Sequence, residues 1–245
     1  MSREASDLEF LHELYAKHPE FRSYQYALVA LHQSVYNNRY LRYRHYERAQ
    51  TLLRLTTPKT MILDAGCGFG DLILELSNND RSLVGVDIEF DKLRVAQART
   101  TRLGQSAEFV CADIHNLPFR DDAFNAAYSN QVIEHVGDPA RIVREKLRVS
   151  SSHAIVMCAN SPSLPGTGFL YYPVLGRREK EVVPNLGGYD EIFYLNYLAP
   201  PLDSVISVQI ARVVGMLPFL RRIMAQNCAK VYRKRQSMSS HRLQN

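Results

Sequence analysis

Leu63-Asp64-Ala65-Gly66-Cys67-Gly68-Phe69-Gly70-Asp71 is the stretch that decides the fold of this chain. Three alternating glycines follow the apolar run Met61-Ile62-Leu63 and precede a helical pattern, Leu72-Ile73-Leu74-Glu75-Leu76. Glycine has no Cβ, so the chain can turn sharply into the helix and a ligand can approach the backbone closely. A glycine-rich loop alone is weak evidence. Here a second apolar run, Val84-Gly85-Val86-Asp87, follows and ends in an acid. A carboxylate at that place can take both hydroxyls of a ribose.

Outward from the loop, residues 59–160 alternate strand and helix signals. Strands are predicted near 60–65, 82–87, 107–112, 124–129 and 153–159, and helices near 71–78, 90–103 and 139–148, with a shorter one beginning near Gln131. The strands are short continuous apolar runs such as Ala154-Ile155-Val156-Met157-Cys158, as expected when helices cover both faces of a parallel sheet. The predicted fold class is α/β, a Rossmann-like, doubly wound, mostly parallel sheet.

The flanks differ from this core. Residues 1–58 are predicted to be a helical N-terminal cap, with Tyr36, Tyr40 and Tyr43 on one helix face and Arg39, Arg42, Arg44 and Arg48 on a mostly solvated one. Thr56-Thr57-Pro58 ends that pattern. Residues 161–245 are expected to be a lid or substrate-covering region with a basic tail, since 161–200 is rich in Pro, Gly and aromatics and lacks periodicity. Of the 14 tyrosines, seven lie in 1–58 and five in 161–200, which suggests a pocket with aromatic walls and hydroxyl tips.

With 245 residues, 46% of them hydrophobic, the chain can bury a full core. No N-terminal apolar targeting run is evident, and Cys67, Cys111, Cys158 and Cys228 are scattered without metal-like spacing. The expected location is therefore cytoplasmic, with reduced thiols and no metal site. The net charge of +5 is uneven: from Ser204 onward there are eight Lys or Arg and no acid. That asymmetry suggests an anionic neighbour. Val205–Met224 is apolar but interrupted by Arg212, Pro218, Arg221 and Arg222, which argues against a bilayer span. Two readings stay open: a helix packed on the sheet, or peripheral membrane contact through 204–245 with Arg212, Arg221, Arg222, Lys230 and Arg233 to Arg235 facing anionic lipid.

Four landmarks in order give the chain its resemblance. The glycine loop is the first and Val84-Gly85-Val86-Asp87-Ile88 the second. Ala112-Asp113-Ile114, with Leu117-Pro118-Phe119 and Asp121-Asp122-Ala123-Phe124, is the third; Tyr128-Ser129-Asn130-Gln131-Val132-Ile133-Glu134-His135-Val136 is the fourth. Over roughly 60–160 the chain resembles class I S-adenosylmethionine-dependent methyltransferases, most closely the subfamily that includes quinone-biosynthesis enzymes. The resemblance implies that S-adenosylmethionine is the methyl donor. It implies that Asp64 reaches the methionyl ammonium, that Gly66, Gly68 and Gly70 pass close to the methionyl and ribose parts, and that Asp87 takes the ribose hydroxyls. Ile88 would pack on the adenine, Asp113 would accept its amino group with Ile114 on the ring's flank, and Asn130 would lie near the methionyl part.

A nicotinamide dinucleotide is the competing cofactor. Its fingerprint is GxGxxG, whereas the spacing here is GxGxG, and a carboxylate at Asp71 would repel a pyrophosphate. No Asn-Pro-Pro-Tyr-like segment follows the fourth strand, which disfavours methylation of nucleic-acid bases. The sulfonium is already activated, so the protein chiefly aligns the groups and excludes water. His135 is better read as packing or capping, and no general base is assigned. The expected activity is methyl transfer to a small-molecule or lipid-linked acceptor at oxygen. A non-catalytic cofactor-binding scaffold and a membrane or nucleic-acid-binding module are the alternatives.

Overall fold

The structure is a computed structural model. It describes residues 39–77, 80–159, 189–197 and 205–234, with three isolated positions (13, 16 and 17) near the start. Along the chain these form α1 (Arg39–Leu55), β1 (Met61–Ala65), α2 (Asp71–Leu76), β2 (Ser82–Asp87), α3 (Phe90–Arg102), β3 (Glu108–Cys111) and β4 (Phe124–Asn130). A 3₁₀ turn (Ile133–His135) follows, then α4 (Pro139–Val149), β5 (Ser150–Ala159), β6 (Glu191–Tyr197), α5 (Val205–Met216), α6 (Pro218–Met224) and β7 (Ala225–Arg233).

The sheet has seven strands in the order β3-β2-β1-β4-β5-β7-β6. Strands β1 to β5 pair in parallel, while β7 runs antiparallel to both β5 and β6. The order reverses between β1 and β4, and at such a switch point the crossover helices leave on opposite faces and open a crevice at the strands' carboxyl ends.

Alternation along β1 sends Ile62 and Leu63 to opposite faces. Ile62 joins Tyr128, Ile155, Met157, Ala229 and Val231 under α1 and α2. Leu63 and Ala65 join Val84, Val86 and Ala127 under Ile142 and Val149 of α4. A third cluster, with Val143, Val156, Cys158, Cys228 and Tyr232, carries the α4 side across to β7. Helix α4 is opened by Asp138, whose carboxylate accepts the Arg141 amide at 3.0 Å, and by Pro139 in its first turn.

Two expectations from sequence need correction. Residues 161–245 are not wholly a covering region, because 191–197 and 225–233 complete the sheet. Asn227 and Lys230 are buried in β7, and such polar residues interrupt the apolar run that would have marked a strand. Of the basic residues offered for lipid contact, Lys230, Arg233 and Lys234 make contacts within the fold. Lys230 lies over the Tyr189 ring, Arg233 pairs with Glu191, and Lys234 pairs with Asp122. Arg48 is also not on a solvated face: it is 6% exposed, on the side of α1 that carries Ala49 and Leu52. Most of the tyrosine-rich flanks, including Tyr36, Tyr171 and Tyr172, lies outside the described residues.

Candidate cofactor and active site

The carboxyl ends of β1, β2, β3 and β4 meet at one rim, with Ala65 beside Val86, Asp87 beside Cys111 and Asp64 beside Tyr128. The glycine loop leaves this rim directly. Gly66 and Cys67 both donate their amides to Val86 O, at 2.7 and 2.9 Å, which seats the loop on β2. Gly66, Gly68 and Gly70 all have positive φ, the left-handed region where a side chain is costly. Their surroundings differ. A Cβ on Gly66 would lie 2.5 Å from Val132 Cγ2, whereas one on Gly68 would meet nothing within 4 Å. Gly66 is therefore required by packing, and Gly68 lies beside open space of the kind a close ligand needs.

Asp87 locks the loop in place. Its Oδ2 accepts the Gly68 amide at 2.8 Å and its Oδ1 accepts the Glu89 amide at 3.0 Å. Each carboxylate oxygen keeps a further lone pair for a hydroxyl donor. Next along the chain, Ile88 is 68% exposed and Phe90 is also largely exposed, so two apolar side chains stand open beside this carboxylate.

Arg99 was not foreseen from the sequence. Fully buried on α3, it donates through Nη1 to Phe69 O at 2.7 Å and to Asp71 Oδ1 at 2.8 Å. The charge of Asp71 is thus matched by Arg99, and its supposed repulsion of a pyrophosphate loses force. Only the glycine spacing then speaks against a dinucleotide at this level. The signal for Arg99 was faint: an arginine in line with the buried Leu93 and Ala96 on an amphipathic helix.

Deeper in the rim, Asp64 is 3% exposed and its Oδ1 has no hydrogen-bond partner among the described residues. Burial pushes its pKa up to about 7; the Tyr128 hydroxyl and Lys146 pull it down, while Asp87 and Asp71 add to the rise. Tyr128, its register partner on β4, is fully buried, and its hydroxyl likewise completes no hydrogen bond. Two residues on, Asn130 Oδ1 is buried without a partner. Gln131 then adopts φ 53° and donates through Nε2 to Asn227 Oδ1 at 3.2 Å, which ties the end of β4 to the start of β7. Below the sheet Lys146 is fully buried, donating to Ser129 Oγ at 2.7 Å and Ile155 O at 2.9 Å. Burial lowers its pKa to about 7.

The third-strand segment is placed differently from the rest. Asp113 is half exposed, and its Oδ1 accepts the His115 amide at 2.9 Å and lies 2.7 Å from His115 Nδ1. Those contacts hold its pKa below the ordinary carboxylate value, the backbone bond most of all. Ile114 packs among Leu63, Val84 and Leu117. The amide of Ala112 donates to Asp87 O at 3.1 Å, so this segment stays next to the Asp87 carboxylate. His135 is exposed at the end of the 3₁₀ turn.

Residues 63–158 match the methyltransferase domain family. The demethylmenaquinone methyltransferase of Roseiflexus castenholzii is 30% identical over 178 residues, covering 69% of this chain and 73% of that protein. The chain belongs to the class I S-adenosylmethionine-dependent methyltransferases. The ajmaline N-methyltransferase of Rauvolfia serpentina is 32% identical to this methyltransferase over 103 residues, 41% of the chain, which spans only 35% of that relative. A solved Bacillus halodurans protein shares its fold, with a TM-score of 0.55 at 16% identity, covering 77% of this chain and 99% of that one.

The methyl donor of the methyltransferase is S-adenosylmethionine. The rim fits such a group on its own chemistry. Asp64 and Asn130 carry buried oxygens with no donor among the described residues, as a site for an ammonium and polar hydrogens requires, and a Cβ at Gly68 would meet nothing within 4 Å. When bound, the donor supplies a methyl already activated on a sulfonium.

Proposed function

We propose that this rim holds S-adenosylmethionine through Asp64, Gly66, Gly68, Gly70, Asp87, Ile88, Asp113, Ile114 and Asn130, and that the enzyme methylates a small-molecule or lipid-linked acceptor at oxygen. The observation that carries the cofactor assignment is the Asp87 carboxylate, held by the Gly68 and Glu89 amides with lone pairs to spare. Asp64 takes the ammonium and Ile88 offers an apolar platform beside the ribose site. Asp113 reaches the adenine through Oδ2, since Oδ1 is engaged by His115. The protein's contribution to chemistry is alignment and exclusion of water.

A lipid-linked acceptor is favoured by two observations. A demethylmenaquinone methyltransferase is among the relatives. The surface around the α5–α6 turn is apolar, with Val213, Met216, Leu217 and Phe219 exposed and Arg212 and Arg222 exposed beside them. An apolar tip flanked by cations and free of acids suits an anionic bilayer surface. No helix among the described residues is long and apolar enough to cross a membrane.

Incubation with methyl-labelled S-adenosylmethionine and separate aqueous and lipid extracts tests the acceptor. Label in the lipid fraction is expected, and label confined to the aqueous fraction would remove the lipid-linked reading. The carbon chemical shift of the transferred methyl then separates oxygen from nitrogen, the atom named for the Rauvolfia relative, and from carbon. Flotation with phosphatidylglycerol vesicles tests the surface. Met216→Ser with Phe219→Ser should abolish it, and equal flotation of wild type and variant would remove the membrane contact. Deletion of 204–245 is unsuitable, because it would take β7 out of the sheet.

A further inference from the structure

Among the buried polar atoms without hydrogen bonds, two face each other across neighbouring strands: Asp64 Oδ1 on β1 and Tyr128 Oη on β4. Both residues lie on the sheet face that α1 and α2 cover, and Asn130 sits two residues further along β4 on that same face, nearer the rim. A phenol buried in an apolar cluster usually finds a partner, and Val or Ile would fill the same strand position without that demand. Of the described groups, Asp64 and Cys67 act electrostatically on Tyr128, and Asp64 is the one whose carboxylate can accept a hydrogen bond from its hydroxyl.

We propose that Tyr128 is a positioning residue for cofactor uptake: its hydroxyl orients Asp64 and keeps it ionised, and so sets the pH range over which the enzyme binds its methyl donor. The proposal rests on the reading that Asp64 receives the cofactor's ammonium. The titratable groups that act on Asp64 are Tyr128 from β4, Asp87 from β2, Asp71 from α2, Lys146 from α4 on the other face of the sheet, and Cys67 from the glycine loop. Of these, Asp87 and Asp71 oppose ionisation, and Lys146 acts through space while donating its own protons to Ser129 and Ile155. Among the described groups that act on Asp64, Tyr128 is the neutral one whose hydroxyl can turn to donate to it. Without it, a buried carboxyl with two acidic neighbours takes up a proton, and a protonated carboxyl no longer attracts an ammonium.

The probe is S-adenosylhomocysteine, which keeps the ammonium and lacks the sulfonium charge. Its Kd is measured by calorimetry from about pH 6 to about pH 9 for wild type, Tyr128→Phe and Asp64→Asn. Phenylalanine keeps the ring that fills the core and removes only the hydroxyl. If its loss raises the Asp64 pKa by about one unit, the variant binds roughly fivefold more weakly than wild type near pH 7, and the two converge near pH 9. A filler role alone would weaken binding by one factor at every pH, and that result, or no difference at any pH, would overturn the proposal.

Asp64→Asn separates the two layers. Weak binding that no longer varies with pH supports the Asp64 assignment. Affinity and pH dependence like those of wild type would remove that assignment, and the Tyr128 proposal with it. Carboxyl ¹³C titration of Asp64 in the cofactor-free wild type gives an independent reading. A midpoint in the ordinary carboxylate range would overturn the proposal even if the Phe variant failed to fold.

Discussion

Asp87 Oδ2 accepts the amide of Gly68 at 2.8 Å, so the acid that ends β2 and the middle glycine of the loop hold each other before any ligand arrives. The loop is thereby presented to the rim with its backbone ordered, and the ordering cost is not left to the binding step.

Asp87→Ala should accordingly lose twice. It removes the proposed ribose acceptor and frees the Gly68 and Glu89 amides. Hydrogen bonds to a charged group contribute about 1.5–3 kcal/mol each, so S-adenosylhomocysteine affinity should fall by about tenfold to a hundredfold. Calorimetry measures this, and equal affinity for wild type and variant would remove the Asp87 assignment.

The glycines at 66 and 68 should respond differently to alanine. Gly66→Ala places a methyl 2.5 Å from Val132 Cγ2 at a positive φ, and should destabilise the fold by about 2–5 kcal/mol. Val132→Ala in the same chain should recover the steric part of that loss. Gly68→Ala meets nothing and should cost only about 1–2 kcal/mol of backbone strain while weakening cofactor affinity. Urea denaturation set beside calorimetry distinguishes the two patterns.

Removing Arg99 should loosen the loop from behind. Arg99→Met keeps the buried aliphatic stem and deletes the bonds to Phe69 O and Asp71. Asp71 remains about one-third exposed, so solvent compensates in part, and a loss of about 2–3 kcal/mol is expected. Denaturant midpoints report the loss. Hydrogen exchange at Gly68 and Phe69 should quicken as well.

Lys146 has a definite pH signature. Its folded pKa is lowered to about 7 by burial, so between there and its ordinary value of 10.5 the unfolded chain binds one more proton than the folded one. Stability should therefore rise with pH across that window, by about 1.4 kcal/mol per pH unit at most, and the contribution is lost as pH falls toward 7. Lys146→Met should flatten this slope. Chemical denaturation at several pH values, wild type against variant, isolates it from other titrating groups.

The five parallel strands were legible because each is a short apolar run punctuated by a polar turn or helix start. Asp64, Asp87 and Asn130 were legible as candidates because the order of strands places their positions at carboxyl ends. Strands β6 and β7 were not. Asn227 and Lys230 are buried beside partners distant in sequence, Gln131 and Tyr189, so the local pattern there does not look like a strand. Arg99 and Tyr128 escaped for a related reason. Each reads as an ordinary helix or strand residue until its partner, 28 or 64 positions away, is known.

The sequence by itself determined the α/β alternation and the glycine turn, because local spacing dictates where a strand can end and a helix can begin. Its ordered landmarks carried the resemblance that implies the methyl donor. The tertiary structure decided which polar groups meet. It turned Asp71 onto Arg99, pinned Gly68 to Asp87 and placed Asp64 beside Tyr128. Those pairings depend on strand register and helix packing, where a shift of a single residue sends a side chain to the opposite face.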